Sequence, residues 1–455
     1  MSRKIRKPLA RWALTMGAVL AVGTTLAACG GGSSDSGSAG GTSSGSQADL
    51  DAALKTGGEI TYWSWTPSAK AQVDAFEKAY PNVKVNLVNK GTNTTEYTAL
   101  TNAIQAGTGA PDVAQIEYYA IPQYALSDSL FDLTGYGLDQ LKSDYTASTW
   151  GSVAFNGKVY GLPQDSGPMA LFYNEKVFKE AGINEAPKTW DDYIADAKLI
   201  HAKNPKHYIT ADSGDGGFVS SMIWQAGGHP FNVDGNTIKV DFQDAGTKKF
   251  TAMWDQLHTA GLLSSTPGWT DAWFQGLGNG DIASLVTGAW MPGNLEANST
   301  AAKGDWRVAP IPTYDGSTAV TAENGGSSQA VLKQSKNPAL AAAFVRWLNH
   351  DPASIKVFLD SGGFPSTTAD LSDPAFTDKK DPYFGNQQIN KVLSAAAGTV
   401  APNWSYLPIQ AYALSIFGDT AGKAAYATTK PLDQGLAAWK AKIDAYAKQQ
   451  GFTVQ

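Results

Sequence analysis

The chain has 455 residues, a formal net charge of −6, 17% charged residues and a single cysteine. The acidic balance, with no basic run after Arg11, argues against nucleic-acid binding, whose main affinity term needs clustered lysine and arginine. One cysteine excludes an intramolecular disulfide, so the fold rests on its core, and a chain of this length has the size of two or three ordinary domains. Fourteen tryptophans leave aromatic surface that needs an explanation.

The first residues carry Arg3, Lys4, Arg6, Lys7 and Arg11 without an acid, followed by an apolar stretch from Trp12 to Ala28. This is the plan of an export signal, too short and too rich in Ala, Gly and Thr for a spanning helix. Leu26-Ala27-Ala28-Cys29 resembles the lipobox of bacterial lipoproteins, which implies cleavage before Cys29 and acylation of its thiol. Residues 1–28 are then the signal peptide, and Cys29 is the lipid anchor at the extracytoplasmic face of the cell membrane. Residues 29–56 are expected to form a Gly/Ser-rich tether, about twenty residues of which span roughly 25 Å as a flexible coil.

Beyond the tether the pattern becomes regular. Residues 59–65 alternate as a strand, and 69–80 have helical spacing with Val73, Phe76 and Tyr80 on one face. Pro81 stops that helix, and 83–88 form the next strand. Residues 97–106 are helical, and 112–116 form a short strand after a turn at 107–111. This βαβαβ order predicts a parallel α/β sheet. A second α/β region follows: a strand over 170–173, a short helix ended by Gly182, and a helix over 190–203 capped by Thr189. Amphipathic helices are expected over 339–348 and 436–448.

The stretch from Gly161 to Asn174, with Pro187-Lys188-Thr189-Trp190-Asp191-Asp192, is similar to the family 1 extracellular solute-binding proteins of ABC importers, the group containing maltose-binding protein. Gly109-Ala110-Pro111-Asp112-Val113, Thr287-Gly288-Ala289-Trp290, Pro310-Ile311-Pro312 and Gly363-Phe364-Pro365-Ser366 fall in the order that family requires. The resemblance implies a two-lobed α/β periplasmic-binding-protein fold of type II, with three hinge crossings near 166–168, 309–313 and 365–368. Lobe 1 then comprises 57–166 and 310–365, and lobe 2 comprises 167–309 and 366–455.

A sugar presents an apolar C–H face and a rim of hydroxyls, so it needs flat aromatic plates together with carboxylates or amides. Trp63 and Trp65, at the carboxyl end of the first strand, and Glu117 and Tyr118, after the third, lie where open α/β sheets place their crevice. Asp165 precedes the first crossing. In the second lobe, Trp290 matches the sugar-stacking tryptophan of the family. Trp224 and Trp404 are further candidates, whereas Trp269 and Trp273, at i and i+4, fit a buried helix face equally well. Glu323 and Gly325 sit in Glu323-Asn324-Gly325-Gly326, which resembles the loop that re-enters the cleft. Ile116 and Tyr119 stand where maltose-binding protein has a cleft tryptophan and aspartate, so a maltose-type ligand set is not intact.

The resemblance implies a monomeric, non-enzymatic receptor without cofactor or metal, capturing a di- or oligosaccharide and delivering it to ABC permease subunits. A lipid-anchored glycoside hydrolase is the rival from another class, because it too combines aromatic plates with paired carboxylates such as Glu117 and Asp165. A receptor for a polyamine on the same scaffold also stays open. The five histidines form no metal array, and no nucleophile elbow or phosphate loop is present. Only Arg307 and Arg346 follow Arg11, which disfavours anionic ligands.

Overall fold

The computed structural model describes residues 46–455 apart from Thr318 and Thr429, so the signal segment, Cys29 and most of the expected tether lie outside the described residues. Two sheets organise the fold. Their strands in chain order are β1 Gly58–Trp63, β2 Val83–Val88, β3 Val113–Glu117, β4 Leu162–Pro163, β5 Met169–Asn174, β6 Ser284–Gly288, β7 Trp306–Ala309 and β8 Ser327–Val331. Lobe 1 is built on the order β2-β1-β3-β8-β4 and lobe 2 on β6-β5-β7. The strands β2, β1 and β3 run parallel, as their crossover helices Ala69–Ala79 and Thr94–Ala106 require. The strand β8 pairs antiparallel to both β3 and β4, so a segment far along the chain returns to complete the first sheet.

Each lobe has its own apolar packing. In lobe 1, Phe76 lies 4.8 Å from Phe344 and 5.1 Å from Trp347, ring centre to ring centre, and Tyr62 packs edge-on to Phe344. In lobe 2, Trp190, Trp254 and Trp439 are fully buried, with Trp190 edge-on to Trp254. Trp306 is equally buried beneath the second sheet. Much of the tryptophan content is therefore core, where truncating one such ring to alanine costs about 3–5 kcal/mol. The helix Trp190–Lys203 begins where the sequence places it. Thr189 accepts from the Asp192 amide, and Asp192 accepts in return from the Thr189 amide.

Two expected boundaries move. Residues 47–56, assigned to the tether, form a helix opened by a capping box between Ser46 and Asp49. Leu50 of that helix is buried in the lobe 1 core, with Ala53 and Leu54 packed beside it. The cap was hidden because Ser46 reads as the last residue of a serine-rich tract. The second crossing also shifts. After β7 the chain stays in lobe 2: Thr313 exchanges backbone bonds with Lys188 and Trp190. Thr321 donates through its hydroxyl to the Met169 carbonyl at 2.7 Å, and Ile311 and Ala322 are buried in the lobe 2 core. Residues 310–322 thus belong to lobe 2, and the crossing lies at 323–327. Pro310 and Pro312 shape a loop packed on lobe 2, where ordinary turn chemistry and an interlobe segment look alike in sequence.

The crossings run side by side. The first, around Asp165 to Pro168, bonds to the second through Asn324 N–H to the Gly167 carbonyl (2.8 Å) and a bridge between Pro168 and Glu323. The third passes from Phe364, whose ring is buried in lobe 2, and its carbonyl accepts from the Ser166 amide. A Cβ at Gly167 would stand 2.5 Å from the Asn324 carbonyl oxygen, a contact that real side chains do not make. Gly167→Ala should therefore lower the thermal midpoint by an amount equivalent to about 1–3 kcal/mol, measured by circular-dichroism melts. An unchanged midpoint would show that the crossings are not packed as tightly as this.

Candidate functional site

A cavity of about 590 Å³ opens between the lobes, within the size range of small-molecule sites. Its lobe 1 wall is formed by side chains that follow β3 and by the helix Thr94–Ala106, including Asn93, Tyr97, Glu117 and Tyr119. Glu117 is half-buried and anchored by Tyr97, whose hydroxyl donates to Oε2 at 3.1 Å while accepting from the Glu117 amide at 2.9 Å. The Asn93 amide nitrogen, turned toward the carboxylate, donates to Oε1 at 3.1 Å. Burial pushes the Glu117 carboxyl up to about 7; hydrogen bonds from Tyr119 and Tyr97 oppose the shift, and the Asp165 charge adds to it. The group is fixed in place and close to its midpoint at neutral pH.

The lobe 2 wall is aromatic. Trp290 follows β6, and its Nε1 donates to the Asn324 carbonyl at 2.6 Å. Gly325 has φ +83°, and a Cβ there would meet Trp290 Nε1 at 3.0 Å, so the glycine both supplies the left-handed turn and lets the indole lie against the crossing. Trp404 is half-buried and stacks on Trp224, with ring centres 5.0 Å apart and planes 6° from parallel. Trp224 is itself buried and donates to the Ala401 carbonyl at 2.7 Å. It therefore backs Trp404 more than it faces the cavity. Trp269 completes the wall, its ring centre 5.5 Å from that of Trp290.

Two buried donors on this wall are unspent among the described residues: Trp404 Nε1 and Gln410 Nε2. A buried N–H without a partner costs about 1–3 kcal/mol.

Five of the ten expected binding residues border the cavity: Glu117, Trp224, Trp290, Gly325 and Trp404. The other five do not, and each has a definite place. Trp63 is 5% exposed and sits in the second lobe 1 core, with the Lys90 ammonium 5.2 Å from its ring centre. Trp65 lies beyond the end of β1, packed against the same core and edge-on to Tyr97. Tyr118 is buried and donates to the Asp165 carbonyl at 2.6 Å. The Oδ1 oxygen of the Asp165 carboxylate accepts from the amide and hydroxyl of Ser327, at 2.6 and 2.8 Å. Glu323 is 2% exposed and accepts from Ser148 (2.7 Å), Ser166 (3.1 Å) and the Gly167 amide (2.6 Å). Asp165 and Glu323 thus hold the hinge, and a carboxylate pair of Glu117 and Asp165 is not presented to the cavity.

Among the cavity residues not expected as binding candidates are amides and aromatics, with Asn93, Gln410, Tyr97 and Trp269 foremost. The first two give no compositional signal, while Trp269, at i, i+4 to Trp273, fits a buried helix face equally well in sequence. Trp269 instead precedes the helix Asp271–Asn279 and is 54% exposed.

An aromatic wall facing a fixed carboxylate and an amide across a hinged cleft defines a two-lobed receptor for a small polar solute. The chain belongs to the bacterial extracellular solute-binding proteins, whose family model matches residues 62–354. It is 45% identical to the ABC transporter associated binding protein of B. animalis subsp. lactis Bl-04, solved in complex with β-1,6-galactobiose. That match covers 87% of this chain and 99% of the other, with a TM-score of 0.79. It is 28% identical to the galacto-N-biose/lacto-N-biose I-binding protein of Bifidobacterium longum, solved with lacto-N-biose. Here 88% and 99% of the chains are covered, with a TM-score of 0.76. The lactose-binding protein of Rhizobium radiobacter is 27% identical over 353 residues, 73% of this chain and 80% of that one.

Behind the lobe 1 wall lies Glu96, fully buried, with neither carboxylate oxygen bonded among the described residues. Burial, and secondarily the Glu117 charge, push its carboxyl up to about 8. The folded chain therefore keeps a proton that the unfolded chain has released above its ordinary value near 4.5. This group's contribution to stability declines as pH rises from about 4.5 to 8 and then levels off. Glu96→Gln should remove that decline, melting like the parent at pH 5 and several degrees higher at pH 9. Parallel melting curves for the two proteins across this range would show that Glu96 is not held neutral.

Proposed function

We propose that the protein captures a disaccharide or short oligosaccharide containing β-linked galactose and delivers it to the permease of an ABC importer. The observation that carries this reading is the cleft itself: Trp290, Trp404 and Trp269 on one lobe, opposite Glu117 and Asn93 on the other. Indole faces suit the C–H side of a galactopyranose, and the carboxylate and amides suit its hydroxyl rim. Galactose-containing disaccharides occupy the two similar solved structures named above. Among the described residues no lysine, arginine or histidine borders the cavity, which fits a ligand without negative charge.

The role is binding without turnover. A ligand that touches both lobes stabilises the closed arrangement, and moving a 99:1 population to 1:99 requires it to favour closure by about 5.5 kcal/mol. Contacts on two walls are what make that difference available. The receptor acts as a monomer, and its closed lobe pair is what the permease recognises.

Titration calorimetry with β-1,6-galactobiose, lacto-N-biose, lactose, maltose and spermidine tests the reading. Micromolar or tighter binding of a galactoside, with the sugar recovered uncleaved, is the expected result. Binding of spermidine alone, or cleavage of the sugar, would overturn it. Because the Glu117 carboxyl lies near 7, a carboxylate that accepts sugar hydroxyls predicts weaker binding at pH 5.5 than at pH 8. Glu117→Gln should bind more weakly at pH 8, with affinity level between the two pH values. A wild-type affinity flat with pH would take Glu117 out of the ligand contacts.

Lipid attachment at Cys29 belongs to the same reading, since a receptor feeding a permease gains from being held at its membrane. Cys29→Ser should shift the protein from the membrane fraction of producing cells to the medium or soluble fraction. Unchanged fractionation would remove the anchor.

A further inference from the structure

A second cavity, of about 380 Å³, adjoins the cleft within lobe 2. Asp215, Gly216, Trp269 and Leu414 border both spaces, so Trp269 stands between the main cleft and this annexe. Three features meet there. Trp269 is 54% exposed, and its backbone is left-handed, with φ +65°. Such a conformation is strained for a bulky residue, and the strain persists only where the surroundings over-determine it.

The second feature is the line of indoles. The ring centre of Trp269 lies 5.5 Å from that of Trp290, in the main cleft, and 5.5 Å from that of Trp273, which borders the annexe. The three rings make a continuous apolar strip leading from one space into the other. Third, Phe417 and Gly418, which also border the annexe, open a π-helix over Gly418–Tyr426. Wide helical turns of this kind are rare and occur frequently at functional sites. The polar groups beside the strip are hydroxyl and carboxylate: Ser213, Asp212 and Asp215. Among the described residues no cationic side chain borders the annexe. Aromatic plate and uncharged or acidic acceptors are the same pairing found in the cleft.

We propose that the annexe is an extension subsite that takes a further sugar unit of a ligand whose first two units fill the main cleft, so that the preferred ligand has at least three units. This rests on the saccharide reading of the cleft. The geometry favours a sugar over an apolar or anionic occupant because the strip offers ring faces, Ser213 and Asp215 offer hydroxyl partners while Asp212 is spent on Gly214 and Trp254, and among the described residues no positive group is present to hold an anion.

The test compares β-1,6-linked galactobiose, galactotriose and galactotetraose by titration calorimetry on the purified protein, on Ser213→Trp, and on Gly418→Phe. Both replacements add bulk to the annexe at positions that do not border the main cavity. The trisaccharide should bind at least about fivefold tighter than the disaccharide to the parent protein. Each variant that melts like the parent should lose that gain and keep its disaccharide affinity within about twofold. A trisaccharide no tighter than the disaccharide, or a gain that survives in a folded variant, would overturn the extension subsite while leaving the saccharide reading intact. Absence of binding by all three sugars, together with silence across the galactosides tested above, would remove both.

Discussion

The buried carboxylate of Glu323 is the interaction on which the two-lobed arrangement depends. It accepts hydrogen bonds from Ser166 and the Gly167 amide on the first crossing, and from Ser148 in lobe 1, while its own chain is the second crossing. Burial pushes the group up to about 7, and its three donors oppose that shift. A carboxylate so placed is costly unless its partners are all present, so the three segments it joins are kept in one arrangement. Next to it, Asp165 clasps Ser327 at the start of β8, and Tyr118 clasps the Asp165 carbonyl. Behind this lies a buried amide network: Gln329 donates to Gln164 at 2.7 Å, and Gln115 donates to Ser327 at 3.0 Å. Polar groups that resemble a binding constellation in sequence are here spent on one another.

That expenditure explains the division of labour in the cleft. Carboxylates near the crossings are satisfied internally and hold geometry. Glu117, one strand away, is only half-buried and borders open space. On the opposite wall the indoles are fixed by their own N–H groups, Trp290 to Asn324 and Trp224 to Ala401, so their orientation is decided before any ligand arrives. Trp404 keeps its Nε1 uncommitted among the described residues while its ring is held by stacking. Rigid plates with a few unspent polar atoms are the form of preorganisation that gives affinity without ordering costs.

Much of the fold was legible because local signals agreed with the global arrangement. The alternation over β1, the Pro81 stop, and the Thr189–Asp192 cap each mark an element that forms within a residue or two of its expected limits. The second crossing was misplaced because a proline-rich loop has the same local chemistry whether it spans two lobes or packs on one. The pairing of Thr313 with Lys188 and Trp190, the Thr321–Met169 bond and the burial of Ile311 and Ala322 decide between them. The site was legible in residue type but only partly in position. Trp63 and Glu117 both stand at strand ends, yet one turns into a core and the other borders the cleft, a difference set by tertiary packing. The amides Asn93 and Gln410 carry no sequence signature at all.

The backbone of Asn324 joins two jobs in one residue. Its N–H is bonded to Gly167 across the crossings, and its carbonyl holds the Trp290 indole. A sugar ring pressing on that indole would push on a group with no slack between it and the hinge backbone. Tilt of the plate and rotation of the lobes are then felt at neighbouring peptides of one residue, so how the ligand is seated and how far the cleft is open are linked through Asn324.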